Sequence, residues 1–135
     1  MCGIAGLWTP GLGDLSGIAG RMADALRHRG PDDGAAWSDQ DAGVALGHRR
    51  LAIIDLSPAG RQPMASASGR YVIVYNGEIY NFEELRQELT ALGVGFRGGS
   101  DTEVMLAAIE QWGLAAAIGR FIGMFAFALW DRERR

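Results

Sequence analysis

At 135 residues and a net charge of −3, the chain is long enough for one domain with its own core and too short for two large ones. Its 13 basic residues against 16 acidic ones supply no cationic surface of the kind nucleic acids require. Hydrophobic residues make up an ordinary globular 48%, whereas 20 glycines are roughly twice average usage, so tight turns or close backbone approaches are expected. The single cysteine, Cys2, rules out an internal disulfide framework. No basic stretch precedes an apolar core at the start, and the longest apolar run, Phe121 to Trp130, is about half the span of a membrane helix. A cytoplasmic protein with no membrane partner is expected.

Gly3 to Trp8 reads as a strand entering a turn at Thr9-Pro10-Gly11. Ser16 to His28 follows as a helix, with Ile18, Met22, Ala25 and Leu26 as its apolar side. The helix runs into Arg29-Gly30-Pro31-Asp32-Asp33-Gly34, a fixed loop in which both glycines are expected to take turn geometries. Ala35–Ser38, Val44–Gly47 and Leu51–Ile54 read as short strands of a meander, and Asp55 to Gly69 as one long irregular surface connection. Tyr71 to Tyr75 is a β-rich strand that Asn76-Gly77 should end in a turn.

Asn81 with Glu84 has the spacing of a capping box, opening a helix whose stripe is Leu85, Leu89 and Leu92. Ser100 with Glu103 repeats that signature ahead of Val104, Met105, Ala108, Ile109 and Trp112. Phe121 to Trp130 is apolar on both alternating faces, as expected for a strand covered by a second sheet on one side and helices on the other. The implied architecture is layered α/β. Asp131 to Arg135 resembles a polar turn with no return strand after it. Residues 2–135 therefore read as part of a domain whose open sheet edge calls for a covering protein partner.

The thiol concentrates the chemistry. Removal of Met1 would make Cys2 the first residue, and its α-amine, with a reference pKa of about 7.7 to 8.0, could then take the proton from its own sulfur. The plainer reading is an inert buried cysteine. Acyl transfer also needs donors for an oxyanion, which the Asn76 amide and the Gly77 N–H could supply, although Asn-Gly alone more often just makes a turn. Arg50 is the best carboxylate candidate because its guanidinium donates two parallel bonds; the adjacent Arg49 reads either as a solvated neighbour or as its rival, and sequence alone chooses poorly between them. Asp101 could pair with an ammonium, assisted by Glu78, or simply stabilise the first turn of its helix. His28 and His48 lack a third ligand at metal spacing, so no metal centre is expected, and no phosphate loop is present.

Cys2-Gly3-Ile4-Ala5-Gly6, Arg27 to Asp33, Arg49 to Ser57, Asn76-Gly77-Glu78-Ile79-Tyr80-Asn81 and Ser100-Asp101-Thr102-Glu103 together resemble the class II glutamine amidotransferases, closest to glutamine-hydrolysing asparagine synthetase. The resemblance covers essentially the whole chain. It implies an N-terminal nucleophile hydrolase fold, a four-layer αββα sandwich, incomplete at its C-terminal end. It implies Cys2 as nucleophile, Asn76 and Gly77 as oxyanion hole, Arg50 on the glutamine α-carboxylate, and Asp101 with the Glu78 region near the α-amine. Arg29, Gly30 and Asp32 would form a loop supporting the nucleophile. Glutamine hydrolysis then needs no cofactor, whereas ATP and magnesium would serve only a synthetase domain that this chain lacks. Two rival expectations are a noncatalytic remnant or partner-binding module, and a glutaminase serving another acceptor.

Overall fold

The computed structural model describes residues 1–135, which form two three-stranded antiparallel sheets with helices outside both. The first sheet has the order β1-β3-β2, built from β1 (Gly3–Trp8), β2 (Asp33–Asp39) and β3 (Val44–Arg50). Helix α1 (Leu15–Asp24) covers its outer face. The second sheet has the order β4-β5-β6, from β4 (Met64–Ala65), β5 (Tyr71–Ile79) and β6 (Gly123–Asp131). On its outer side lie α2 (Phe82–Ala91), α3 (Asp101–Trp112) and α4 (Leu114–Ile118). The inner faces meet through β3 and β5, completing the four layers that the resemblance implies. No helix is long and apolar enough to cross a membrane.

The larger core lies between β5 and the helices, where Ile73, Tyr75 and Ile79 pack against Leu85 and Leu89 of α2 and Val104, Met105 and Ile109 of α3. Alternation then sends Val72 and Val74 of β5 to the other face, against Leu46 of β3, with Ile4, Trp37 and Trp130 around them. The two sheets are also tied by polar contacts: buried His48 Nε2 bonds the Tyr75 carbonyl at 3.1 Å, and Trp130 Nε1 donates to Asp39 Oδ2 at 3.2 Å.

Several expectations are corrected. Helix α1 buries Leu15, Ala19 and Ala23, while Met22 and Ala25 are exposed and Ile18 lies at the margin. The cause is proximity, because a Cβ on Gly47 of β3 would meet the Ala19 carbonyl oxygen at 2.5 Å, so only small side chains fit where Ala19 and Ala23 cross that strand. Leu51–Ile54 is not a strand, since β3 ends at Arg50. The Asp55 to Gly69 connection is not wholly irregular or superficial; it holds a 3-10 turn at Pro58–Gly60 and strand β4, and it buries Gly60, Gln62, Met64 and Ser66. Gly30 and Gly34 do not take left-handed turn geometry. They serve close approach, because a Cβ on Gly30 would collide with the Arg49 backbone and one on Gly34 with the Arg49 side chain.

Asn76-Gly77 does not end β5, which continues to Ile79 with Asn76 opposite Ala126 and Gly77 opposite Phe125. Asn81 precedes α2 without capping it; its side chain accepts from Ile122 N–H at 2.9 Å and donates to the Arg120 carbonyl at 3.0 Å, fastening the approach to β6. Leu92 is exposed at the helix end. Ser100 does cap α3, accepting from Glu103 N–H at 3.2 Å, although the Glu103 carboxylate reaches back to the Arg97 and Gly98 amides. Strand β6 is covered mainly on its helix side by Phe125, Phe127 and Leu129, while Met124, Ala126 and Ala128 are exposed on the other. One edge of β6 carries no strand.

Candidate active site

Strand periodicity decides which side chains can meet. In β1, Ile4 faces the second sheet and Leu7 faces α1, so Cys2 shares the inward direction of Ile4. The β1–β3 register, Gly3 opposite Arg49, continues to set Cys2 beside Arg50, which lies on the same inward row as Leu46 and His48. From the opposite sheet, Asn76 follows Val72 and Val74 on the row that faces them. Cys2, Arg50 and Asn76 line one cavity of about 460 Å³, together with Gly77, Glu78 and Asp101.

Cys2 is part-buried and unpaired, and its sulfur lies 3.4 Å from the Leu51 N–H that donates to it. Its own carbonyl accepts from Arg29 Nε at 3.0 Å. Asp32 clasps the same region from the other side: its N–H donates to the Arg50 carbonyl at 3.0 Å and its Oδ2 accepts from Ala52 N–H at 2.9 Å. The Arg29 to Asp32 loop therefore holds both the first strand's start and the segment beside the thiol. Met1 is exposed, so nothing in the core depends on it.

The edge of β5 explains the two donors. Arg132 N–H bonds the Arg70 carbonyl and Tyr80 N–H bonds the Ile122 carbonyl, so even-numbered residues along β5 face β6 in the ladder. Odd-numbered residues aim their N–H groups the other way, toward β4. That neighbour is only two residues long and ends opposite Ile73. Beyond it, Tyr75 N–H donates to Gln62 Oε1 at 2.6 Å and Ile79 N–H to Asp101 Oδ2 at 3.1 Å. Gly77 N–H, between them, meets no side chain and opens on the cavity. The Asn76 side chain likewise makes no hydrogen bond inside the chain. Gly77 must lack a side chain because a Cβ there would strike the Met124 carbonyl and Phe125.

Arg50 is buried and donates to the Asp55 carbonyl and, at 2.9 Å, to the Ser57 carbonyl, so the Asp55 loop orients it at the cavity wall. Asp55 is itself fixed by Ser57 N–H at 2.7 Å and Gly99 N–H at 2.8 Å; hydrogen bonding from Ser57 first, then Gly99, holds its carboxyl below the usual range. Arg49 is not solvated. It points away from the cavity, donating to the Gly30 carbonyl at 3.1 Å and pairing with Asp24 at 3.4 Å. The structure thus separates the two arginines that the sequence left side by side. Asp101 is buried at the start of α3, and Glu78 stands exposed at the cavity.

Gln62 and Tyr75 also belong to this site and carried no motif-level signal, while Leu51, which lies within the Arg49 to Ser57 motif, was given no role of its own. Burial holds the Tyr75 phenol well above its usual range, reinforced by the Asp101 charge. His48 sits behind the cavity with its pKa lowered to about 4, chiefly by burial. Its Nε2 bonds a carbonyl and therefore carries the proton, which leaves Nδ1 as a buried acceptor without a partner. No group of three or more His, Cys, Asp or Glu side chains is arranged to hold a metal ion.

An inward-facing cysteine thus stands at the head of the first strand of a four-layer αββα sandwich. The fold matches the solved glutamine phosphoribosylpyrophosphate amidotransferase of B. subtilis with a TM-score of 0.78 at 22% identity, covering 96% of this chain and 35% of that one. The chain belongs to the glutamine amidotransferase domain family, whose model matches residues 1–135. It is 44% identical to asparagine synthetase [glutamine-hydrolyzing] 3 of Bacillus subtilis, over 99% of this chain and 22% of that protein. It is 41% identical to a putative asparagine synthetase [glutamine-hydrolyzing] of Mycobacterium tuberculosis, over 100% of this chain and 23% of that protein. The chain thus spans about a fifth of the length of the curated relatives it matches.

Proposed function

We propose that the chain hydrolyses the side-chain amide of glutamine to glutamate and ammonia. The observation that carries this reading is the convergence of a part-buried thiol, two unengaged N–H donor groups, a buried arginine and a buried carboxylate on one cavity. With Met1 removed, the Cys2 amine takes the thiol proton as the sulfur attacks the amide carbon. The Asn76 amide and Gly77 N–H stabilise the oxyanion. The protonated amine gives its proton to the departing nitrogen, ammonia leaves, and a thioester remains. The amine then activates water, which releases glutamate and restores the thiol. Arg50 receives the α-carboxylate, and Asp101 with the Glu78 region receives the α-ammonium.

Every group in this scheme comes from the chain, so the reading assigns it no cofactor. Delivery of the ammonia to aspartate, driven by ATP and magnesium, is proposed for a synthetase region of the kind the relatives' names describe. The unpaired edge of β6, beside exposed Ile122 and Met124, is the surface on which a covering protein segment would lie. The cytoplasm suits an unpaired reactive thiol.

The test is intact mass to establish loss of Met1, followed by ammonia release from glutamine for the native chain and Cys2→Ala. Release by the processed native chain alone supports the reading. A processed native chain that releases none overturns it, and equal release by Cys2→Ala removes the assigned nucleophile.

A further inference from the structure

Where β4 stops, side chains replace it along the edge of β5. Tyr75 is held at three points: its N–H by Gln62 Oε1 at 2.6 Å, its carbonyl by His48 Nε2 at 3.1 Å, and its hydroxyl, which donates to Asp101 Oδ2 at 2.8 Å. Two residues beyond Gly77, Ile79 N–H donates to that same Oδ2 at 3.1 Å. Two donors from one strand thus converge on one carboxylate oxygen, while Asp101 Oδ1 accepts nothing from the chain and is left to the cavity. The phenol ring is buried against Phe125, with ring centroids 6.4 Å apart, which keeps its hydroxyl in this direction.

We propose that Tyr75 is a positioning residue for substrate recognition: with the Ile79 amide it locks Asp101 so that Oδ1 is presented to an ammonium group of the ligand. The proposal rests on the glutamine reading above and adds the device that sets selectivity for an α-amino acid. A carboxylate tied through one oxygen cannot rotate, so its remaining lone pairs are aimed before the ligand arrives. The same strand carries the Gly77 donor, so one backbone segment would register the amine-binding oxygen against the oxyanion site.

The experiment compares glutamine with glutaramate, which is the same amide without the α-amine. In Tyr75→Phe the ratio of kcat/KM for glutamine over glutaramate falls about tenfold, through KM and not kcat, as expected for losing a hydrogen bond that orients a charged group. Equal loss on both substrates, or none, overturns the proposal while the glutaminase reading stands. Asp101→Asn tests the lock independently, should Tyr75→Phe not fold. Both fixed partners are donors, so they select the asparagine oxygen and force its NH2 group toward the cavity, lowering the same ratio about 100-fold by repelling the ammonium. A ratio unchanged in Asp101→Asn means that Asp101 does not meet the ammonium, and the proposal is overturned. If the processed native chain releases no ammonia, the glutaminase reading has failed, and the lock is read from calorimetric binding of glutamine to Cys2→Ala with and without Tyr75→Phe. About tenfold weaker binding supports it; equal affinity or no binding overturns it.

Discussion

Asn76 and Gly77 show how a residue pair can serve a site for a reason its sequence conceals. The pair has the composition of a turn, yet it lies inside β5, where the Gly77 N–H is free because β4 has ended and the Asn76 side chain faces the cavity. Asn76→Ala should lower kcat for ammonia release by about 10² to 10³ with KM little changed, the usual cost of one oxyanion donor; steady-state kinetics on glutamine measures it. Cys2, Arg50 and Asp101 were legible as candidate residues because their chemical types are distinctive. Tyr75 and Gln62 were not, since a tyrosine in a β-rich run and a glutamine in a loop carry no mark of what they will touch.

His48 supplies a pH prediction at the same scale. Burial holds it neutral in the folded state, with Arg50 adding to the depression and the Tyr75 carbonyl and Asp33 opposing it. The unfolded chain binds its proton near the ordinary value of 6.5 and the folded chain only near 4. His48 therefore costs nothing above about pH 6.5, and stability drains away as pH falls toward 4, by about 3 kcal/mol at most. Urea melts across this window should show a shallower slope for His48→Gln than for the native chain.

At the scale of elements, helices with strong caps and leucine stripes were readable, whereas the seating of α1 was not. Its larger apolar residues Ile18 and Met22 suggested one face and the fold used another, because Gly47 brings the backbones too close for anything above alanine at positions 19 and 23. Gly47→Ala should push α1 off β3 and cost about 1 to 3 kcal/mol in denaturant unfolding, the usual range for overpacking. The two-residue β4 between Pro63 and Ser66 was illegible for a different reason. It is too short to show a period, and its existence depends on β5.

The β5–β6 pair is clasped at its far end by Arg70, whose Nε and Nη2 contact Asp131 at 3.0 and 2.6 Å. That side-chain pairing with Arg70 draws the Asp131 carboxyl down to about 2, so the clasp persists well into acid. Arg70→Ala should speed amide exchange at Arg132, whose N–H donates to the Arg70 carbonyl, without altering exchange in α3.

For the whole molecule, the unequal cores set the order of opening. The cluster joining β5 to α2, α3 and α4 has 13 buried residues, against 3 under α1 and 3 between the sheets, so the first sheet is the more weakly held half. Native-state hydrogen exchange should find lower opening free energies for β1 to β3 than for β5 and α3. The layered class was legible from alternating strand and helix patterns. Which strands pair in which sheet was not, because strand pairing is fixed by contacts between distant segments.

The inward aim of Cys2 follows from strand alternation counted from the very first residues, and this dictates how the protein can be handled. An affinity tag fused ahead of Cys2 would acylate its amine and crowd the mouth of the cavity, which under the proposed mechanism stops ammonia release while leaving the fold intact. A purification handle belongs after Arg135, where the chain is exposed and far in sequence from the thiol.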